Sequence, residues 1–226
     1  MRRVVLLALA LLAAGCGGHG APTPTTTPIS PDAMIDGAIS AMRSLQSAYF
    51  EMTRAGAPIT IERLVFDRAV GRYAAPSSAE AILQMRAGDL VTELGTVSIG
   101  DRTWITDPVF GRWHEYEPGT GFNPAVLFDP VEGWAALLAD LTGVTLLERG
   151  GATHHLNAVV PAARIRSITA GLAAAQEVSL DLWLEAATLR IVRLEFSTEG
   201  DEGRSDWLIT MSDFDAPVEI PPPVDG

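Results

Sequence analysis

A long series of short segments that alternate apolar and polar side chains, with Gly, Asp or Pro between them, restricts this chain more than any other feature. Ser47–Arg54, Pro58–Asp67, Ala79–Arg86, Leu90–Ile99, Thr103–Thr106 and Arg112–Tyr116 come in one run, and Thr145–Arg149, Thr153–Val160, Glu177–Leu184, Leu189–Ser197 and Ser205–Ser212 follow. Alternation with period two places successive side chains on opposite faces of a strand, and close spacing with turn residues between predicts an antiparallel meander. Helical signals interrupt it. Ser30 is placed to cap a helix that Pro31 opens and Asp32 complements, with Met34, Ile35, Ala38, Met42, Leu45 and Tyr49 at three-to-four spacing. Asn123-Pro124 opens a turn, Asp129-Pro130-Val131-Glu132 starts a helix that turns Trp134, Leu137, Leu138 and Leu141 inward, and a third helix is expected from Pro161 to about Ala174. The sum is an α+β chain, one curved antiparallel sheet with helices against one face, and no repeat or second domain.

The first residues carry a different signal. Arg2 and Arg3 precede an apolar stretch, Val4–Leu12, and then small residues, the three-part layout of a secretion signal. That stretch is too short to span a bilayer, which takes about 20 apolar residues. Leu12-Ala13-Ala14-Gly15-Cys16 resembles the lipobox of bacterial lipoproteins, which implies cleavage before Cys16, lipid on its sulfur and retention on the extracytoplasmic face of the cell membrane. An ordinary signal peptide with an incidental cysteine is the alternative. Two or three acyl chains at about 0.8 kcal/mol per buried CH₂ anchor firmly. Gly17–Pro28 holds no side chain large enough for a core and is expected to be a flexible tether reaching at most about 40 Å. The expected layout is therefore signal 1–15, lipidated cysteine and tether 16–29, one domain 30–220 and a disordered tail 221–226.

Composition excludes several functions. The chain carries −12, and loss of Arg2 and Arg3 takes it to −14, a charge that repels phosphate backbones and makes nucleic acid a poor partner. All 16 basic residues are arginine, so phosphate loops, Schiff bases and Ser-x-x-Lys nucleophiles, which need lysine, are out. Cys16 is the sole cysteine, so the fold rests on packing and not on disulfides. His154-His155 is the one histidine pair, and adjacent strand positions face opposite ways, so it cannot chelate one metal. No catalytic motif, cofactor motif or metal set is present, and the chain is not expected to be an enzyme.

Leu45-Gln46-Ser47-Ala48-Tyr49 at the end of the first helix, Leu127-Phe128-Asp129-Pro130-Val131-Glu132-Gly133-Trp134 running on to Leu141, Asp181-Leu182-Trp183-Leu184, and the closing Met211-Ser212-Asp213-Phe214-Asp215-Ala216-Pro217-Val218, together with the lipobox, resemble the LppX/LprAFG lipoproteins. The resemblance covers nearly the whole chain after Cys16. It implies a half-barrel of antiparallel strands with helices on its concave face around an apolar cavity for acylated lipid or glycolipid, an architecture similar to the lipoprotein carriers LolA and LolB. A lipid carrier within the cell envelope, served by an envelope lipid transporter, is the implied function. Alternation and the resemblance together place Leu83, Met85, Val97, Ile99, Trp104, Trp134, Leu138 and Trp183 on the cavity wall. Taken singly, each of them favours an ordinary core position over a ligand contact, and the competing expectation is a non-catalytic structural or protein-binding lipoprotein with a filled core. The segments Thr106–Gly111 and Pro118–Asn123 are candidate lids or membrane-touching tips.

Overall fold

The computed structural model describes residues 29–61, 63–117 and 122–224. The signal, Cys16, residues 17–28 and Pro118–Gly121 of the second candidate lid lie outside the described residues. The chain forms α1 (Pro31–Arg43), β1 (Ser47–Gly56), β2 (Thr60–Ile61), β3 (Leu64–Ala74), β4 (Ser78–Ala87), β5 (Leu90–Ile99), β6 (Arg102–Thr106) and β7 (Trp113–Tyr116). A short 3-10 helix (Pro124–Phe128) and α2 (Trp134–Ala139) come next, then β8 (Thr142–Gly150), β9 (Thr153–Val160), α3 (Ala162–Ile168), β10 (Val178–Glu185), β11 (Ile191–Gly200) and β12 (Gly203–Ser212). Eleven strands form one antiparallel path, β7-β6-β5-β4-β3-β1-β12-β11-β10-β9-β8, with β2 attached to β3. The edges, β7 and β8, do not pair, so the sheet is an open half-barrel with the helices on its concave side.

Register explains the core. Phe50 pairs with Gly71 and with Met211, Ala69 with Leu83, and Leu194 with Leu182 and Ile209, so these side chains share the inner face. They form one buried cluster with Met34, Ile35, Ala38 and Met42 of α1, Trp134, Leu137 and Leu138 of α2, and Ile165 and Ile168 of α3. Gly71 is required in the middle of it, because a Cβ there would sit 2.5 Å from the Phe50 ring and 2.2 Å from the Glu80 carbonyl oxygen. Smaller than the inner core, a second cluster of Val97, Trp104 and Ile220 lies on the outer face, where Val218 and Ile220 of the closing segment lean on β5 and β6.

Alternating strand direction sorts the turns into two ends. One end holds Ile29, whose carbonyl oxygen accepts from Arg149, the β3–β4, β5–β6, β8–β9 and β10–β11 turns, and both termini of α1. The other holds the β4–β5, β6–β7 and β11–β12 turns and α3.

Four elements differ from expectation. The second helix starts at Trp134 behind Gly133, not at Asp129-Pro130, and ends at Ala139, short of Leu141. Pro58–Asp67 is not one strand: Arg63 turns the chain at φ 76°, and β3 runs on to Ala74 with a bulge between Phe66 and Arg68 that resets its alternation. The third helix stops at Ile168, where Ala170 (φ 50°) and Gly171 (φ 85°) turn left-handed and Gly171 N–H closes on the Arg166 carbonyl at 2.7 Å. Tyr49 does not extend the stripe of α1, which ends at Arg43; it lies on β1 and lines the outer face.

At the first end, Asp215 pins the chain leaving α1 to the segment after β12. Its carboxylate accepts from Gln46 N–H at 2.9 Å and pairs with Arg190, its own N–H donates to the Ser47 carbonyl at 2.9 Å, and the Ser47 hydroxyl donates to the Ala216 carbonyl. The Gln46 N–H, and then the Arg190 guanidinium, hold this carboxyl below the usual carboxylate range. A depressed acid stabilises the fold above its unfolded value near pH 4 and stops doing so as pH falls through the lower folded value. Asp215→Ala is therefore expected to lower the thermal midpoint at pH 7 by several degrees, and the difference from wild type should narrow as pH falls below the ordinary carboxylate range. Thermal melts at neutral and at acid pH check this.

Candidate functional site

A hollow of about 330 Å³ opens at the first end, between the C-terminus of α1, the end of β3 and the start of α2. Met42 and Leu45 roof it, Tyr73 and Phe128 form one wall, and Trp134 and Ala135 line it from α2. Tyr73 and Phe128 stack with centroids 4.2 Å apart and planes 7° from parallel, and Phe128 also meets Phe50 at 5.8 Å. The Tyr73 hydroxyl donates to the Pro76 carbonyl at 3.1 Å. Burial, and next the Asp129 carboxylate, push its pKa up, so it stays a neutral donor.

Trp134 is the one chemically unusual residue of this lining. It is 1% exposed, and its indole Nε1–H has no hydrogen-bond partner among the described residues. A buried donor left unpaired costs about 1–3 kcal/mol, so an oxygen brought to it would be strongly favoured. The corner that presents Trp134 is built by short-range bonds. Asn123 caps the 3-10 helix through Ala125 N–H, and Asp129 accepts from Val131 and Glu132 N–H at 2.8 and 2.9 Å. Gly133 N–H then closes on the Asp129 carbonyl at 2.8 Å.

The eight expected wall residues divide by face. Leu83, Met85, Trp134 and Leu138 all belong to the inner core cluster, buried between sheet and helices, and of these Trp134 also borders the hollow. Val97, Ile99 and Trp104 lie on the outer face beside Ile220 and Val218. Trp183 is on the outer face too, stacked on His155 at 4.2 Å and lying under the Arg193 guanidinium. The structure thus separates these four from any wall that faces the helices. Inward positions of β5 are taken instead by Thr96, whose hydroxyl donates to the Phe122 carbonyl at 2.9 Å, and Ser98, bonded to the Thr103 hydroxyl at 3.1 Å. Met42, Leu45, Tyr73 and Phe128 complete the hollow. Of these, Tyr73 sits on a strand whose small inward neighbours, Ala69 and Gly71, give a weak apolar signal.

Two further hollows are on the outer face. One of about 440 Å³ is bounded by Tyr49, Val70, Ile82 and Trp113, with Gly95 leaving room for the Trp113 ring. The other, about 920 Å³ and shallow, has a polar rim that includes Gln176, Asp181, Arg204 and Asp206. His154 and His155 face opposite ways, His155 bonding Asp181 at 2.9 Å. Among the described residues no group of three potential metal ligands comes together, and no helix is long and apolar enough to cross a membrane.

The model of the LppX_LprAFG lipoprotein family matches residues 30–220. The chain belongs to this family. Its solved relatives agree in fold. The structure of LprF from Mycobacterium bovis is 19% identical, covers 87% of this chain and 97% of its own, and superposes with a TM-score of 0.64. That of the Mycobacterium tuberculosis lipoprotein LppX is 16% identical over 84% of this chain and 98% of its own, with a TM-score of 0.58. A LolA superfamily protein from Nitrosomonas europaea covers 83% of this chain at a TM-score of 0.31, too low a value to bear on the argument. No curated protein sequence matches the chain. The LppX_LprAFG member described here thus shares its fold with LprF and LppX.

Proposed function

We propose that this LppX_LprAFG lipoprotein takes an acyl chain of a lipid or glycolipid between its half-barrel and α1, with the aromatic hollow at the first end as the mouth. The unpartnered Trp134 indole N–H carries this reading. It is a donor buried beside a lining that mixes apolar side chains with Arg43 and Gln46, suited to the ester or amide oxygen where a headgroup meets its chain. Below it, Leu83, Met85 and Leu138 are the inner side chains an acyl chain would displace. The hollow alone holds the head of a chain, so a full tail requires α1 and the 3-10 helix to move outward from the sheet. Methionines 34, 42, 52 and 85 line that boundary, and their unbranched side chains repack at small cost. Cys16, outside the described residues, is proposed as the lipid anchor that keeps the domain at the extracytoplasmic face of the membrane, with an envelope lipid transporter as the source of cargo.

One observation favours the competing reading, a structural or protein-binding lipoprotein. The inner core is filled, with Phe50, Phe66, Trp134, Leu137 and Leu138 all less than 2% exposed. Titration with a fluorescent fatty acid separates the two. Wild type is expected to bind it with strong enhancement, and Leu83→Trp, which adds bulk to the inner face, to weaken binding at least about tenfold while the far-UV spectrum is kept. Binding unchanged by Leu83→Trp would remove the inner face as the site, and no binding by wild type would favour the structural reading.

A further inference from the structure

The second end of the sheet carries apolar side chains that the packing of the domain does not use. Val109 and Phe110 are 75% and 73% exposed at the β6–β7 tip, and Leu90 and Val91 are 70% and 59% exposed at the β4–β5 tip. The two tips lie side by side at this end. Thr96 pairs with Ile105 and Thr106 with Trp113, and the chain turns back after Asp107, while the neighbouring β4–β5 hairpin runs out to Ala87 and Leu90.

Nor is the larger tip a loose loop. The Asp107 carboxylate accepts from the backbone N–H groups of Val109, Phe110 and Arg112 at 3.0, 2.6 and 3.1 Å. Asp107 and Arg112 also close a backbone bond at 3.0 Å, and Gly111 supplies the positive φ of 66°. Held this way, Val109 and Phe110 point away from the domain instead of folding back on it. A fixed protrusion that keeps large apolar groups in water has an energetic cost that some outside contact must offset.

We propose that these two hairpin tips seat in the surface of a lipid bilayer. Their shape favours a bilayer over a protein groove, since two separate convex tips side by side meet a broad, yielding surface better than a cleft. The charge pattern agrees: a chain of net charge −12 is repelled by anionic surfaces, so attachment must come from apolar insertion. The Arg112 guanidinium stacks over the Phe110 ring at 5.2 Å, where it can stay among headgroups while the ring enters. Reach is sufficient. Twelve residues of chain, the number between Cys16 and Ile29, can span at most about 40 Å at about 3.3 Å per residue, and a ten-residue strand spans about 33 Å. Given the Cys16 anchor of the proposed function, a domain with Ile29 at the opposite end can turn its tips onto the membrane that holds it.

The test uses the chain from Gly17 onward, which contains every described element and no cysteine. Pro108→Cys, labelled with an environment-sensitive dye, is titrated with phosphatidylcholine vesicles, and Asp101→Cys at the opposite end serves as the control. A blue shift with increased emission at position 108 and none at 101 is expected, and adding Phe110→Ser should raise the lipid needed for half-saturation about tenfold. No shift at 108 up to millimolar lipid, an equal shift at 101, or a midpoint indifferent to Phe110→Ser would overturn the proposal, and a flat titration would leave a protein as the partner of the tips. The outcome is separable from the cargo reading, because Phe110→Ser should leave fatty-acid uptake at the first end unchanged.

Discussion

Trp134→Ala is expected to lower the unfolding free energy by about 3–5 kcal/mol, the usual cost of emptying a buried aromatic position, while Trp134→Phe leaves it unchanged or raises it by about 1 kcal/mol. The asymmetry follows from what the indole touches. Its ring is 1% exposed and belongs to the core cluster that joins α1 and α2 to the sheet, so removing it opens a void. Its N–H, in contrast, has no partner to lose among the described residues, and phenylalanine removes an unpaired buried donor at the expense of some ring volume. Fatty-acid binding should move the other way, with Trp134→Phe weaker by about tenfold if the indole N–H serves the cargo. Denaturant melts and the fluorescent titration measure the two effects on one variant. Loss of stability without loss of binding in Trp134→Phe would assign the indole to packing alone.

Gly133→Ala is the second large effect, an expected loss of about 3 kcal/mol from a single methyl group. Gly133 links the 3-10 helix to α2, and a Cβ there would sit 2.3 Å from the Leu127 carbonyl oxygen and 2.8 Å from that of Asp129. Both obstacles are backbone, so no side chain can rotate out of the way. The corner must open, carrying Trp134 and Phe128 apart and dissolving the hollow between them. Chemical denaturation should give the lower stability, and near-UV circular dichroism a loss of the fixed aromatic signal. A variant as stable as wild type would mean that the corner is more yielding than its close contacts indicate.

How much of this was legible in the sequence depends on how cleanly each segment alternates. Leu90–Ile99 and Thr153–Val160 are strands with the expected bounds, because turn residues delimit both. The first helix starts where Ser30, Pro31 and Asp32 predict, the Ser30 hydroxyl accepting from Ala33 N–H. β3 escaped because its bulge shifts the alternation and its inward Ala69 and Gly71 are small; Gly71 is a space left for Phe50.

The candidate site was less legible, for a reason visible on β5. Hydropathy assigns Val97 and Ile99 inward, but the inward residues are Thr96 and Ser98, whose hydroxyls are bonded to Phe122 and Thr103 and so can be buried. The apolar neighbours then face outward and are covered by Val218 and Ile220. Trp183 shows the same effect. Leu182 and Leu184 on either side of it take the core, and the tryptophan lies outside between His155 and Arg193. Where two adjacent residues can both be buried, alternation alone does not say which face is which.

The central claim is that the inner face between sheet and helices accepts hydrocarbon, and native mass spectrometry of the protein purified under gentle conditions from a lipid-rich bacterial host tests it most directly. The account predicts a population heavier than the bare chain by the mass of one acylated lipid, released as that lipid on collisional activation and reduced in Leu83→Trp. A single species at the mass of the protein alone, for wild type and variant alike, would contradict it.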